Sequence, residues 1–239
     1  LQTLAECAAR AGAPMVRVTD VVSTVARTPS HPYAQAFTAD TVRGRYAIQL
    51  PVYGLFQIAN AGTAIAVLER LGAPLRPDPE CIERGLAQVA IPGRMEVFPG
   101  TPACVLDIAH NPEKAQSLVA SLRDAFPQRR IHYVVAIGES KDAAQIIATL
   151  AAIPAEFTFT SFSVPGRRAI DPQRLVGIAQ ALGIRASATL EAHGALAAAC
   201  DSAGPDDLVV ATGSTFVVAA VRESLLSRSL PDAAESSTR

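Results

Sequence analysis

The sequence is poor in the residues that build aromatic cores, disulfide frameworks and metal sites. Its 239 residues include no tryptophan, two methionines and only 5% aromatic residues. The four cysteines lie far apart, without a C-x-x-C pair: Cys7, Cys81, Cys104 and Cys200. This spacing argues against structural zinc and a disulfide framework, and we expect no metal ligands and buried thiols in a reducing cytoplasm.

Charge of one sign is also lacking, as is any long apolar run. The net charge of −1 does not indicate the excess of positive charge that is typical of nucleic-acid-binding proteins. The longest apolar stretch, 208–221, is interrupted by polar residues and stopped by Arg222, so it is too short for a membrane span. No signal peptide is visible, although the chain starts with Leu1 in a helical pattern, and we expect further sequence upstream. We expect a cytoplasmic monomer without membrane contact.

What the sequence does contain is enough apolar material for a large core. The apolar fraction is 49%, with 45 alanines, which favours helices packed through small residues. A chain of this length buries roughly 70–75% of the surface of its unfolded form. Its composition changes near residues 90–92, which predicts two domains at 1–90 and 91–239.

The first predicted domain is expected to contain helices and a few short strands. The helical patterns cover 1–8, 55–71 and 79–89, the last with Asp78 as N-cap. Strands are predicted at 15–18 and 46–50, and a loop or an irregular hairpin at 23–44.

The second predicted domain alternates strands with helices. The strands are predicted at 94–98, 103–108, 131–137, 155–162, 184–188 and 207–212, and the helices at 112–125, 141–151, 171–182, 191–203 and 214–227. Continuous apolar strands separated by helices are typical of an α/β fold, with a Rossmann-like, mostly parallel sheet and helices on both faces.

Ligands of such sheets bind at the carboxyl ends of the strands. Three polar segments follow predicted strands: 107–112 (DIAHNP), 138–142 (GESKD) and 212–215 (TGST). We therefore expect the functional site where these three segments meet.

The first of these segments places a carboxylate, an imidazole and an amide around one helix N-terminus. Asn111 and Pro112 are explained by ordinary capping of a helix, but Asp107 and His110 are not. The N–H groups and the dipole at such a terminus favour anions. On the residues alone, function and capping are equally good interpretations.

Four further polar residues have both a functional and an ordinary interpretation. Arg94 in Pro-Gly-Arg could bind a phosphate or a ribose, or lie exposed after a turn. Asn60 shares a helix face with Gln57, where both amides could simply satisfy backbone groups. Lys141 could meet an anion or pair with Asp142, and Ser214 could form part of an anion nest or cap a helix.

One nucleotide-binding motif is missing from these 239 residues. A P-loop requires G-x-x-x-x-G-K-[ST], and neither lysine of the chain, Lys114 or Lys141, follows a glycine.

Taken together, the motifs resemble one family. Their order is Leu-Phe-Gln-x-x-Asn-Ala (55–61), Pro-Gly-Arg (92–94), Leu-Asp-x-Ala-His-Asn-Pro (106–112), Gly-x-x-Lys-Asp (138–142) and Gly-Ser-x-x-x-Val (213–218). This order is similar to the C-terminal half of folylpolyglutamate synthase/dihydrofolate synthase, in the Mur ligase superfamily. The resemblance assigns 1–90 to the remainder of a central ATP-binding domain and 91–239 to the glutamate ligase domain.

The resemblance implies an ATP- and magnesium-dependent ligase that joins L-glutamate to folate or dihydropteroate through an acyl phosphate. It implies Asn60, Arg94 and Asp107 as nucleotide ligands, near adenine, phosphate and ribose respectively. It places His110, Lys141 and Ser214 toward the glutamate and the acyl phosphate, the first two as catalytic residues.

The sequence departs from the family at Phe56, where a histidine is frequent, and at Ile108, where a glycine is common. The family's P-loop, magnesium ligands and modified lysine are expected upstream, so we expect the chain to be inactive alone. Two alternatives stay open: another Mur-type ligase of peptidoglycan precursors, and a non-catalytic nucleotide-binding module. The Tyr-Ala-His and Asp-Asn-Pro-Arg motifs of the peptidoglycan branch do not occur here.

Overall fold

An antiparallel sheet in the first part of the chain and a mostly parallel sheet in the second organise the fold. The structure is a computed structural model that describes residues 2–31 and 33–229. Contacts divide the chain into two units: residues up to Pro51 with Phe56–Ala90, and Val52–Leu55 with the chain from Ile91 onward.

The first unit is a three-stranded meander with helices. Its elements are α1 (Gln2–Arg10), β1 (Val22–His31), β2 (Ala34–Thr41), β3 (Gly44–Leu50), α2 (Leu55–Leu68) and α3 (Pro79–Leu86). The strands pair antiparallel in the order β1-β2-β3. Alternate residues of β2 and β3 are buried, as expected for a sheet with one face in the core.

A buried carboxylate links this sheet to the end of α2. Glu69 Oε1 accepts hydrogen bonds from the hydroxyls of Thr41 and Tyr46, both at 2.7 Å. Burial, followed by the hydrogen bond to Glu69, raises the pKa of Tyr46 to about 12. The hydroxyl is therefore a permanent donor that compensates the buried charge.

The helices and the third strand of this unit confirm the sequence predictions, but two segments differ. The strand predicted at 15–18 is wrong: Val18–Asp20 forms a 3₁₀ turn, because the short apolar run has no neighbouring strand to pair with. At 23–44 the hairpin alternative is confirmed and the loop is wrong. Register shifts at Val25/Arg27 and Pro29/His31 make this hairpin irregular, as expected near a proline.

The cysteines also differ from expectation. Cys7 and Cys81 are exposed on α1 and α3, and only Cys104 is fully buried. Burial of all four thiols was therefore a wrong prediction.

The second unit contains a six-stranded sheet. The strands are β4 (Glu96–Phe98), β5 (Ala103–Leu106), β6 (Ile131–Val135), β7 (Ala155–Phe159), β10 (Ala186–Ala188) and β11 (Leu208–Thr212). The helices are α4 (Pro112–Ala125), α5 (Ala143–Leu150), α6 (Pro172–Ala181), α7 (Ala192–Ser202) and α8 (Thr215–Ser229). A separate hairpin joins β8 (Ser163–Val164) to β9 (Arg167–Arg168).

The strand order is β10-β7-β6-β11-β5-β4, and only β4 is antiparallel to its neighbour. The crossovers from β5 to β6, β7 and β10 run in one direction, and the crossover through α7 returns to β11. Because such crossovers are right-handed, α4, α5 and α6 cover one face and α7 covers the other. Apolar side chains of α7 and α8 pack in one cluster with β6 and β11. The predicted α/β fold with a mostly parallel sheet is confirmed.

The topology reverses at β11. This strand leads into α8, which packs on the same face as α7, whereas the neighbouring strands β5 and β6 lead into α4 and α5 on the other face. A crevice at the carboxyl ends of the strands forms at such a reversal. The segments after β5, β6 and β11 meet there, and they are the three polar segments identified in the sequence.

No helix among the described residues is long and apolar enough to cross a bilayer.

Candidate functional site

A cavity of about 680 Å³ lies at the carboxyl ends of β5, β6 and β11. It brings together three residues that the sequence singled out, His110, Lys141 and Ser214. Its other lining residues are Gly138, Glu139, Ser140, Phe162, Gly166, Arg167, Arg168, Gly213, Thr215 and Phe216. All of them belong to the second unit.

Asp107 follows β5 directly, and its carboxylate is hydrogen-bonded to backbone N–H groups. Only 2% of its surface is exposed, and its two carboxylate oxygens accept hydrogen bonds from Met95 N at 3.0 Å and Ala109 N at 2.9 Å. Burial raises the pKa of the Asp107 carboxyl to about 6, against the opposing effects of these bonds and of the Arg94 and Lys114 charges. Asp107 therefore holds the Met95 turn against the end of β5. The ribose contact assigned to it stays a prediction.

His110 is half-buried and uses both ring nitrogens. Nδ1 lies 3.0 Å from the carbonyl oxygen of Ile108, and Nε2 lies 3.4 Å from Lys114 Nζ. A carbonyl only accepts hydrogen bonds, so the proton is on Nδ1 and Nε2 is the acceptor. In this arrangement the imidazole is neutral and is not a free base. Its assignment as a catalytic residue stays a prediction.

The start of α4 confirms the capping interpretation of the residues next to His110. Asn111 Oδ1 accepts from Lys114 N at 2.9 Å, and Pro112 occupies the first turn. The cap fixes the direction in which α4 leaves β5, and it accounts for both residues without a ligand.

The loop after β11 forms the floor of the cavity through its backbone. Gly213 has φ +95°, and its N–H donates to Ala109 O at 2.9 Å. A Cβ at Gly213 would lie 2.6 Å from Ala136 O, so only glycine fits beside the end of β6. Ser214 is buried, and its Oγ accepts from Phe216 N at 3.2 Å, which confirms a capping function. This bond leaves the hydroxyl proton of Ser214 available to a ligand.

Lys141 lies exposed on the loop between β6 and α5. Its neighbour Asp142 caps α5 by accepting from Gln145 N at 3.0 Å. Among the described residues, Lys141 makes no ion pair within 4.0 Å, so pairing with Asp142 does not explain it. Its ammonium group is available to an anion in the cavity.

Arg94 lies in a tight turn before β4. Gly93 has φ +67° and its N–H donates to Glu96 Oε2 at 2.8 Å, and Glu96 in turn binds Arg222 of α8 at 2.9 Å. Arg94 itself is half-buried and has no ion-pair partner in the described part of the chain. Because Met95 also has a positive φ, the predicted strand at 94–98 begins only at Glu96.

Asn60 belongs to the first unit. It is exposed on α2, and its Nδ2 donates to Oε1 of buried Gln57 at 2.8 Å, so the two amides do share a helix face. The assignment of Asn60, Arg94 and Asp107 as nucleotide ligands stays a prediction.

Three cationic residues near the cavity were missed by the sequence analysis. Arg167 and Arg168 line the cavity from β9. A Pro-Gly pair at 165–166 was the available signal for that hairpin. Lys114 lies one helical turn beyond His110, and this i, i+4 spacing was the signal for their contact.

The described residues contain no group of three or more His, Cys, Asp or Glu side chains that could hold a metal ion.

The sequence matches the family described as "Mur ligase, glutamate ligase domain" over residues 93–215. A probable bifunctional folylpolyglutamate synthase/dihydropteroate synthase of Haloferax volcanii is 34% identical over 193 residues, covering 78% of this chain and 22% of that protein. Folylpolyglutamate synthase of Lacticaseibacillus casei is 30% identical over 208 residues, covering 82% of this chain and 45% of that protein. A diaminopimelate-adding UDP-N-acetylmuramoyl-L-alanyl-D-glutamate ligase of Alkalilimnicola ehrlichii is 32% identical over 182 residues, covering 71% of this chain and 34% of that protein.

Solved structures of ligases share the fold. Mycobacterium tuberculosis folylpolyglutamate synthase complexed with ADP and AMPPCP has a TM-score of 0.83 at 26% identity, covering 94% of this chain and 52% of that one. A bifunctional folylpolyglutamate synthase/dihydrofolate synthase with Mn, AMPPNP and L-glutamate bound has a TM-score of 0.77 at 28% identity, covering 94% of this chain and 51% of that one. The chain thus spans about half the length of these proteins or less. With the match over 93–215, these similarities show that the chain belongs to the Mur ligase family, a family of ligases.

Proposed function

We propose that the chain supplies the glutamate-binding part of an ATP-dependent ligase that adds L-glutamate to folate, dihydropteroate or both. In this reaction the γ-phosphoryl group of ATP passes to a substrate carboxylate and releases ADP. The glutamate amine then attacks the acyl phosphate, and an amide forms as inorganic phosphate leaves.

The charge of the cavity is the observation that carries this proposal. Lys141, Arg167 and Arg168 line it without ion pairs among the described residues, and Glu139 is the one acidic side chain among its lining residues. L-Glutamate has two carboxylates and one ammonium group at neutral pH. Three cations and one carboxylate complement that distribution, and arginine binds carboxylates in bidentate geometry. The relative with L-glutamate bound supports the same ligand.

The proposal assigns a role to each polar group around the cavity. Lys141 and the β9 arginines bind the carboxylates, and Ser214 donates its hydroxyl to one of them. Holding the amine close to the acyl phosphate lowers the barrier by removing the cost of bringing two reactants together. His110 contributes to that arrangement as a neutral side chain.

Nucleotide binding is the second part of the proposal. The guanidinium of Arg94 would bind a phosphate group, and Asn60 would bind near the adenine. Asp107 would act through the turn that it holds. The relative with bound ADP and AMPPCP supports a nucleotide as ligand.

A peptidoglycan-precursor ligase is the second candidate, because a diaminopimelate-adding enzyme is 32% identical over 182 residues. Diaminopimelate has an additional ammonium group, so it would need a further anionic partner. With Glu139 as the one acidic lining residue, the cavity favours glutamate.

Calorimetric titration of the 239-residue chain with L-glutamate and with diaminopimelate tests the choice of amino acid. We expect glutamate to bind more tightly, and Ser214→Ala to weaken it about fivefold, as expected for the loss of one hydrogen bond of about 1 kcal/mol. Ser187→Ala removes a serine of β10 outside the cavity lining and serves as the matched control. Equal weakening by both substitutions, or tighter binding of diaminopimelate, would reject the assignment.

Turnover is tested separately. The 239 residues contain no P-loop, the motif that holds the transferring phosphoryl group in the family that the sequence resembles. We expect no glutamate-dependent phosphate release from this chain with ATP, magnesium and dihydropteroate. Release of phosphate by the purified chain would contradict the proposal.

A further inference from the structure

Lys114 is placed to control the state of His110. It lies on the first turn of α4, half-buried, with Nζ 3.4 Å from Nε2 of the imidazole. The opposite ring nitrogen, Nδ1, is bound to the carbonyl oxygen of Ile108 at 3.0 Å. The backbone therefore determines which nitrogen carries the proton, and Lys114 occupies the remaining lone pair.

A third observation shows that the charge of Lys114 acts on this corner of the site. It lowers the pKa of the Asp107 carboxyl, in opposition to the larger effect of burial. Asp107 is itself satisfied by two backbone N–H groups, so it is not a dedicated ion-pair partner of Lys114. The ammonium group of Lys114 is thus in contact with the imidazole of His110, which itself lines the cavity.

We propose that Lys114 is a positioning residue for His110. Its ammonium group holds the imidazole neutral in its Nδ1–H form, and the positive charge beside Nε2 is that of Lys114 rather than of a protonated histidine. A histidine alone would gain and lose that charge between pH 5 and 8. An ammonium group keeps it throughout this range. The consequence is an imidazole that presents one hydrogen-bonding form beside the cavity, next to the charge of Lys114.

The other charged groups around His110 are compatible with this assignment. Lys141 and Glu139, on the loop after β6, and Arg167 and Arg168, on β9, line the same cavity as His110. The segment after β11 contributes no titratable group to the cavity lining. The pKa of Asp107 is about 6 and depends in part on the charge of Lys114, so the test reads the imidazole nitrogens of His110 directly rather than a pH profile.

Imidazole ¹⁵N spectra of the full chain test the pairing directly. The chain has four histidines, and His110→Gln identifies the signals of interest. We expect a protonated Nδ1 and a hydrogen-bonded, unprotonated Nε2 in the wild type. In Lys114→Met the Nε2 signal should move to the position of an unbonded nitrogen, and Lys114→Arg should restore it. Lys141→Met, the only other lysine substitution possible, should leave it unchanged.

A protonated Nε2 in the wild type, or an unchanged Nε2 signal in Lys114→Met, would overturn the assignment. A merely structural role for Lys114 would give no restoration by arginine at this nitrogen.

Binding of L-glutamate gives a second readout, which rests on the proposed function. The wild type and Lys114→Arg should bind L-glutamate equally tightly at pH 8. Lys114→Met should bind it about tenfold more weakly at the same pH, because the positive charge beside His110 is lost. Equal binding by Lys114→Met and the wild type would contradict the proposal. If no form of the chain binds glutamate, the proposed function fails, while the ¹⁵N spectra still decide the pairing.

Discussion

Gly213 provides the most direct test of how the cavity floor is built. Its φ of +95° lies in a region that L-residues rarely adopt. A Cβ at this position would lie 2.6 Å from Ala136 O and 2.9 Å from Val135 Cγ1, both belonging to β6 or to the residue just beyond it. Gly213→Ala should therefore combine backbone strain with a collision against a buried strand.

The two effects have separate magnitudes. Strain at a positive φ costs about 1–3 kcal/mol, and overpacking against a rigid neighbour costs about as much again. We expect Gly213→Ala to lower the free energy of unfolding by about 2–6 kcal/mol. Gly166, on the hairpin, has φ +73°, and a Cβ added there would meet no atom within 4 Å, so Gly166→Ala reports the strain alone, at about 1 kcal/mol.

Urea unfolding of the wild type and both variants, followed by circular dichroism, measures the difference. Gly213→Ala should also weaken glutamate binding, because Ser214 moves with the loop. If Gly213→Ala is no more destabilising than Gly166→Ala, close packing of the loop against β6 is not what requires glycine.

Two further predictions concern buried groups with an unfavourable environment. The pKa of Asp107 is raised to about 6 in the folded chain against 3.8 for the ordinary carboxyl, so its contribution to stability is greatest below pH 4 and is lost as the pH rises to 6. The loss is about 3 kcal/mol, and it should appear as the difference between wild-type and Asp107→Asn urea profiles over this range; parallel profiles would refute it. The hydroxyl of Tyr133 is buried without a hydrogen-bond partner among the described residues, so Tyr133→Phe should leave the unfolding free energy unchanged or raise it by up to about 2 kcal/mol. A loss of more than about 1 kcal/mol on this substitution would point to a bond that the structure does not contain.

The parallel sheet was predictable because its signals are long and redundant. The strand at 103–106, for example, is continuously apolar and buried, and the helix that follows it begins with its own cap, Asn111. Consecutive crossovers then place the segments after β5, β6 and β11 at one edge, so the meeting of His110, Lys141 and Ser214 follows from the topology.

Short elements were less predictable, because partners distant in sequence determine them. The apolar run 15–18 has the composition of a strand but no ladder to join. The β8–β9 hairpin has two residues per strand, too few for alternation to be visible. Its arginines contribute to the cavity only because Gly138 bridges to Ala169 and Glu139 N donates to Arg168 O at 3.1 Å.

The chemical state of the site could not be predicted from residue types. Asp107 and His110 were candidates because they are polar and ionisable, yet both are satisfied by nearby groups. Which oxygen or nitrogen is already engaged depends on backbone positions at the level of tenths of an ångström. Sequence spacing does not contain that information.

The floor and the rim of the cavity are made of different parts of the polypeptide. Main-chain bonds form the floor: Gly213 N to Ala109 O at 2.9 Å and Ala136 N to Thr212 O at 3.4 Å. Side chains from separate loops form the rim of the cavity, and most of them are exposed, among them Glu139, Lys141, Arg167 and Arg168. Exposed substitutions away from special features change stability by only about 0.5 kcal/mol. Rim residues can therefore be exchanged to suit a different amino acid while the floor keeps its shape, which gives a single scaffold a route to new substrates.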